Sequence, residues 1–270
     1  MKKYLLGIVG VLALTASGPA GAADLPVKAP PMVAPAFNWN RCYIGGHAGY
    51  GWGRDRNDFG AAIASGATEI EGFPAEFGPF DHNTSGGVVG GQAGCNWQWA
   101  PGWLVGIEGE VFWSGIKGSF TAPEDGTDPG QFSRFESRNL WDGDIALRFG
   151  HVLPGGMDLL YAKAGGALGR FQYTEWHDDF PTTHSCFVLN PANPFTCSAT
   201  LNQTVGGWLV GFGWEHVISI PGSWTVKAEF DFIGYPSHNV AYPSAAATIQ
   251  QFAVTDSKAI IKVGVNHYFP

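Results

Sequence analysis

The segment Thr225-Val226-Lys227-Ala228-Glu229-Phe230-Asp231-Phe232 alternates without a break. Val226, Ala228, Phe230 and Phe232 share one face, and Lys227, Glu229 and Asp231 share the other, as a period of two requires. The pattern recurs at Val105–Val111, where Val105, Ile107 and Val111 oppose Glu108 and Glu110. Beyond Trp39 no helical period is sustained, and no stretch reaches the ~18 apolar residues of a membrane-spanning helix. Charges stand opposite large aromatics in strand after strand. That suits a sheet with one face in lipid and the other enclosed. Composition agrees: 39 Gly, 11 Trp and 19 Phe accompany only 14% charged residues, against about 25% in ordinary soluble domains.

Eight strands follow from this pattern: Cys42–Arg54, Gly86–Trp99, Trp103–Gly118, Asn139–Leu153, Met157–Tyr173, Thr204–Ile218, Trp224–Ile233 and Ser257–Phe269. Three connections are tight and contain Pro101-Gly102, Pro154-Gly155 or Pro221-Gly222. Pro presets φ for a turn and Gly accepts positive φ. The other four connections, Asp55–Ser85, Ser119–Arg138, Thr174–Gln203 and Gly234–Asp256, are long and rich in Gly, Pro, Asp, Asn and Ser. Short turns alternating with long loops are the organisation of an outer-membrane barrel, and ring closure removes the open sheet edges that lipid excludes. The expected fold is therefore all-β: an eight-stranded antiparallel transmembrane β-barrel with short periplasmic turns and long extracellular loops. Trp97, Trp99, Trp103 and Trp224 flank the turns and Trp52, Trp113, Trp141 and Trp208 lie toward the loops, giving two interfacial belts.

The N-terminus specifies the compartment. Lys2 and Lys3 precede the apolar run Tyr4–Ala16, and Ala20-Gly21-Ala22 offers a small-x-small cleavage pattern. Residues 1–22 read as a signal peptide, 23–38 as a proline-rich periplasmic tether and 39–270 as the barrel, with both termini periplasmic. Without the signal peptide 13 Lys and Arg face 23 Asp and Glu, a net charge of −10. Such a chain has no electrostatic basis for binding nucleic acid.

Several segments resemble a known family. Phe37-Asn38-Trp39-Asn40-Arg41-Cys42-Tyr43-Ile44-Gly45-Gly46 is similar to the opening strand of the small alphaproteobacterial outer-membrane β-barrels, a porin-like family of the OmpA-like eight-strand class. Gly91–Gln98, Val105–Glu110 and Lys262–Phe269 resemble its later strands, and Ala23-Asp24-Leu25-Pro26 its mature start. The family usually carries aromatics where Cys42 and Cys95 stand, and it usually ends on an aromatic, whereas here Pro270 follows Phe269. The resemblance implies an outer-membrane protein inserted by the barrel-assembly machinery through its C-terminal strand. It also implies roles in envelope integrity, host contact or, in some relatives, haem binding.

Strand parity directs Glu108, Glu110, Asp142, Asp144, Glu215, Glu229 and Asp231 into the lumen, with Arg148, Lys163, Lys227 and Lys262. These charges form either a selectivity lining or an ion-pair plug. The plug is favoured, because an eight-strand barrel is only wide enough for its side chains to fill. Cys186 and Cys197 lie in one long connection and should pair in an oxidising periplasm. Cys42 and Cys95 share a face on neighbouring strands; a cross-strand disulfide and two separate thiols both fit that placement. Glu175, His177, Asp178, Asp179 and His184 match no metal-ligand spacing and read as a solvated loop. No Gly-x-Ser-x-Gly elbow or phosphate-binding glycine loop occurs. The expected function is non-enzymatic and without cofactor: envelope support among outer-membrane lipid and lipopolysaccharide, with loops displayed to a host or surface ligand and at most a very narrow pore. The alternatives are a lipid A-modifying enzyme, which needs a Ser–His–acid set at one belt, or a haem- or ligand-binding surface barrel.

Overall fold

A computed structural model describes residues 37–59, 80–123, 132–177, 197–219, 223–243 and 249–269. They form β1 (Cys42–Phe59), β2 (Phe80–Ala100), β3 (Trp103–Ser114), β4 (Lys117–Pro123), β5 (Phe132–Val152), β6 (Asp158–His177), β7 (Cys197–Ser219), β8 (Trp224–Pro243) and β9 (Ile249–Tyr268). All pairings are antiparallel, and β1 pairs with both β2 and β9, so the sheet closes on itself. The seam runs from Tyr43↔Tyr268 to Phe59↔Phe252.

The ring has eight staves and nine segments. The strand expected over Trp103–Gly118 is interrupted at Gly115-Ile116, and both of its parts, β3 and β4, pair with β2 and β5. Ile116 turns inward there and is buried, while Gly115 N and Ile116 O keep backbone partners in Gly87 and Asn139. Ile116 N donates to Ser114 Oγ, so the break keeps several of its backbone groups paired.

The strands also run further than their side chains foretell. β1 continues to Phe59 rather than Arg54, β2 begins at Phe80 rather than Gly86, and β8 continues to Pro243 rather than Ile233. Every large extension lies at the long-loop end. Once two neighbours are paired, a ladder can lengthen through Gly, Asn and Asp, because the backbone supplies the bonds. At the opposite end, Gly102, Gly155 and Gly156 have positive φ, as the tight turns require. Pro221-Gly222 and Cys186 lie outside the described residues, as do the segment expected to be the signal peptide and most of that expected to be the tether.

The outer surface is an apolar band including Ile145, Leu147, Phe212 and Val263, each more than half exposed. The eight belt tryptophans named above all point outward with it. Inside, two apolar clusters cap the barrel. At the turn end are Phe37, Trp39, Tyr43, Leu104, Leu159, Tyr161, Val217 and Tyr268. Toward the loop end are Val88, Phe112, Ile116, Phe171, Tyr235, Ile260 and neighbours. Phe37, assigned to the tether by sequence, is buried in the first of these, edge-on to Trp39 and Tyr268.

Cys42 and Cys95 stand directly opposite each other on β1 and β2 and form a disulfide. The alternative of two separate thiols is excluded. The bond lies on the outward face at the turn end.

Candidate functional site: the charged interior

Between the two apolar caps, the inward positions of six strands carry ionisable side chains. All eleven residues named from parity are buried: Glu108 and Glu110 on β3; Asp142, Asp144 and Arg148 on β5; Lys163 on β6; Glu215 on β7; Lys227, Glu229 and Asp231 on β8; and Lys262 on β9. Burial of this kind demands partners.

Three ammonium groups hold four carboxylates, among them Glu108, which lies 3.6 Å from both Lys163 and Lys227. Lys163 Nζ lies 2.8 Å from Glu229, 3.2 Å from Glu110 and 3.2 Å from Asp231. Lys227 Nζ donates to Glu110 Oε1 at 2.9 Å. Lys262 Nζ reaches Glu229 at 2.8 Å and Asp231 at 2.5 Å, and also donates to Glu110. Glu108, Glu110 and Glu229 present oxygens close enough to share a metal ion, but the three lysines already occupy the space between them.

Nearer the turn end, Arg148 replaces lysine. Its guanidinium contacts Glu215 at 3.0 Å and Glu108 at 3.4 Å and stacks 3.8 Å above the Tyr161 ring. Tyr43 donates to Glu108 and Tyr161 to Glu229, each at 2.6 Å. Glu215 additionally accepts from Thr225, Asn266 and Tyr268 at 2.6–2.9 Å. Toward the loops, Lys258 binds Asp142 at 2.6 Å and Asn139 at 3.1 Å. Asp144 has no hydrogen-bond partner at either oxygen.

Parity named the charged members of this network but not its neutral donors. Tyr43, Tyr161, Asn266 and Tyr268 sit on the same inward register as Lys163 and Lys262, so the signal was present. Polar aromatics at lumen positions read equally well as belt residues. Asp256 was hidden because the last strand was expected to begin only at Ser257; Lys258 lies within that expected strand on the parity of Lys262 and was passed over.

Three further side chains meet above the loop-side tryptophan belt. His82 Nε2 lies 2.8 Å from Ser137 Oγ and 3.3 Å from Asp55 Oδ2, and Ser137 donates to Asp55. They do not form a hydrolytic triad. The acid lies beside the same imidazole nitrogen that faces the serine, whereas an orienting acid must hold the other nitrogen. All three are buried inside the barrel rather than turned to lipid. The side chains of Glu175 and His177, and all of Asp178, Asp179 and His184, lie outside the described residues, as does Cys186, the expected partner of Cys197.

No family model matches the chain. The chain is 28% identical over 246 residues to the 31 kDa outer-membrane immunogenic protein of Brucella melitensis, covering 89% of this chain and 90% of that protein. Among solved structures it is similar to the outer-membrane protein OprG of Pseudomonas aeruginosa, with a TM-score of 0.45 and 11% identity, covering 86% of this chain and 98% of that one. It is also similar to the attachment invasion locus protein Ail of Yersinia pestis, with a TM-score of 0.32 and 9% identity over 84% and 99% of the two chains. With a closed antiparallel ring, an apolar outer band and a relative matched over 90% of its length, the chain has the character of an outer-membrane β-barrel protein.

Proposed function

We propose that this barrel is a closed, non-enzymatic envelope protein, which braces the outer membrane and carries its loops as a display surface. The observation that supports it is the lumen: Glu108, Glu110, Glu229 and Asp231 are locked by Lys163, Lys227 and Lys262, whose side chains are fully buried. A conducting path would separate several of these pairs together. Breaking even one buried pair costs roughly 3–5 kcal/mol.

In this reading the turn end faces the periplasm with both termini, the apolar band contacts lipid and lipopolysaccharide, and β9 presents the segment read by the assembly machinery. No cofactor or nucleic acid takes part. The Brucella relative is immunogenic by name, which fits loops presented to a host. The test is a pair of measurements on the untagged protein. Planar-bilayer recordings of the purified barrel should show no steady conductance, and a deletion strain should become leaky to large antibiotics with its lipid A pattern unchanged. Reproducible liposome swelling in small sugars would restore a diffusion pore; an altered lipid A pattern would restore the enzyme.

A further inference from the structure

The cations of this chain are sorted by position. Arg148, Lys163, Lys227, Lys258 and Lys262 are enclosed in the barrel. Among the other described cations, Arg41 stands at the turn end. Arg54, Arg56, Lys117, Arg134, Arg138 and Arg170 all lie on the outer surface, at or beyond the loop-side tryptophans. In a chain whose acids outnumber its bases, the described basic side chains outside the lumen thus gather at one rim.

Part of this rim is already neutralised. Arg54 and Arg56 hold Asp81 at 2.5 and 3.4 Å, and Arg134 holds Glu136 at 3.4 Å. The rest is not. Lys117 on β4 stands directly opposite Arg138 on β5, both turned outward and exposed. Arg170 on β6 lies on the same face, two residues along from Gln172, the partner of Arg138 in register. Its guanidinium donates to Thr204 Oγ1 at 3.2 Å. Among the described residues, none of these three cations pairs with a carboxylate. Like charges directly opposite on one face weaken a strand pair, so Lys117 and Arg138 are at ease only with an anion between them.

The depth of the pair decides which anion. Trp113 and Trp141 are themselves opposite in register on β3 and β5, on the membrane side of Lys117 and Arg138. Both indoles are turned outward, 69% and 36% exposed, and outward tryptophans mark the boundary between membrane and water. Beyond them Val111, Ile145 and Leu168 continue the apolar wall, each more than half exposed. A group held by Lys117 and Arg138 therefore sits at headgroup depth, with room for acyl chains along that wall. We propose that Lys117, Arg138 and Arg170 form a binding site for a phosphoryl group of an outer-leaflet glycolipid. Guanidinium offers parallel N–H donors that match phosphate oxygens, and ammonium adds a compact charge. The site rests on the orientation proposed above, with the loops outward, and specifies where the barrel grips the lipopolysaccharide-bearing leaflet.

The test uses untagged barrel refolded in zwitterionic detergent and titrated with lipid A bearing its phosphates, with native mass spectrometry reading the lipid bound. The parent should hold lipid A. Lys117→Gln/Arg138→Gln should bind it about tenfold more weakly, while unboiled samples still migrate as folded barrels. Arg54→Gln/Arg56→Gln, whose cations are already paired with Asp81, should bind as the parent does. Lipid A stripped of its phosphates should bind the parent no better than intact lipid A binds the Lys117/Arg138 variant. Equal binding by the parent and the Lys117/Arg138 variant would overturn the proposal, as would equal binding of the stripped lipid. Displacement of lipid A by millimolar inorganic phosphate would overturn it too, in favour of a site for soluble anions. Conductance read on the same samples keeps this site apart from the closed-lumen reading. A closed barrel without the lipid difference counts against the site alone, and a conducting barrel that shows the difference upholds it.

Discussion

The Trp39 indole donates to the Gly156 carbonyl at 3.0 Å, joining residues 117 positions apart across the turn end of the barrel. Trp39 is 2% exposed and packs edge-on to Phe37 and Tyr268. The segment before β1 thus seals the mouth with aromatic rings, below a lumen already closed by charge. Phe37→Ala with Trp39→Ala should therefore destabilise the barrel, by about 3–5 kcal/mol for each ring. It should not produce steady current in planar bilayers. A pore in this variant would show that the aromatic seal, rather than the ion network, is the barrier.

Lys227 is the second test of the interior. Its ammonium lies 2.9 Å from Glu110 and 3.4 Å from Glu229. Lys227→Ala leaves both short of a partner in a lumen with more acids than bases. Thermal unfolding, followed by the gel shift between unboiled and boiled samples, should show a loss of roughly 3–5 kcal/mol. Lys227→Met, which fills the space without the charge, should lose about as much. Full recovery in Lys227→Met would mean that packing rather than ion pairing holds the site.

Gly213 on β7 faces Tyr161 on β6 in register. A Cβ on Gly213 would meet the Tyr161 ring. That ring also lies beneath Arg148 and donates to Glu229. Gly213→Ala must therefore push aside an aromatic that two charged groups depend on, at about 1–3 kcal/mol. Gly206, with nothing near its missing Cβ, is the control, and Gly206→Ala should be nearly silent in the same melting assay.

The Cys42–Cys95 disulfide closes 53 residues of sequence separation. In the chain-entropy model a loop of that size contributes about 4 kcal/mol through the unfolded state. Cys42→Ser with Cys95→Ser should lower the denaturant midpoint yet remain heat-modifiable, since ring closure through β1 and β9 does not need the bond. A variant that no longer folds at all would show that the β1–β2 hairpin must be locked before the barrel can close.

Asp256 supplies a pH dependence whose sign can be worked out. Burial and Asp55 hold its carboxyl well above the unfolded value, which is near 4. The folded form therefore binds the proton more tightly. Its stabilising share is complete below about pH 4 and is lost as pH rises through the elevated folded value. His238, lowered by burial, does not supply a compensating charge at neutral pH. Amide exchange at the loop ends of β1 and β9, taken relative to its intrinsic base-catalysed rate, should quicken as pH rises above about 4. Asp256→Asn should flatten that rise, and an identical rise in the variant would sink the assignment.

The alternation in Val105–Val111 and Thr225–Phe232 is a local property of the chain. Successive Cβ atoms must point to opposite faces, so the residues themselves determined that Glu110, Lys227 and Glu229 turn away from Val111, Ala228 and Phe230. The Pro-Gly turns and long connections likewise specified an antiparallel ring. Which acid meets which base was not local. Lys262 finds Glu110 across 152 residues, and Lys258 finds Asp142 across 116. Those meetings depend on the stagger between staves, which only the closed tertiary structure sets. The same holds at the loop end. Asp55 and His82 lie in segments whose side chains read as loop, and they become neighbours of Asp256 only because backbone ladders, indifferent to side-chain type, carry β1, β2 and β9 past the membrane.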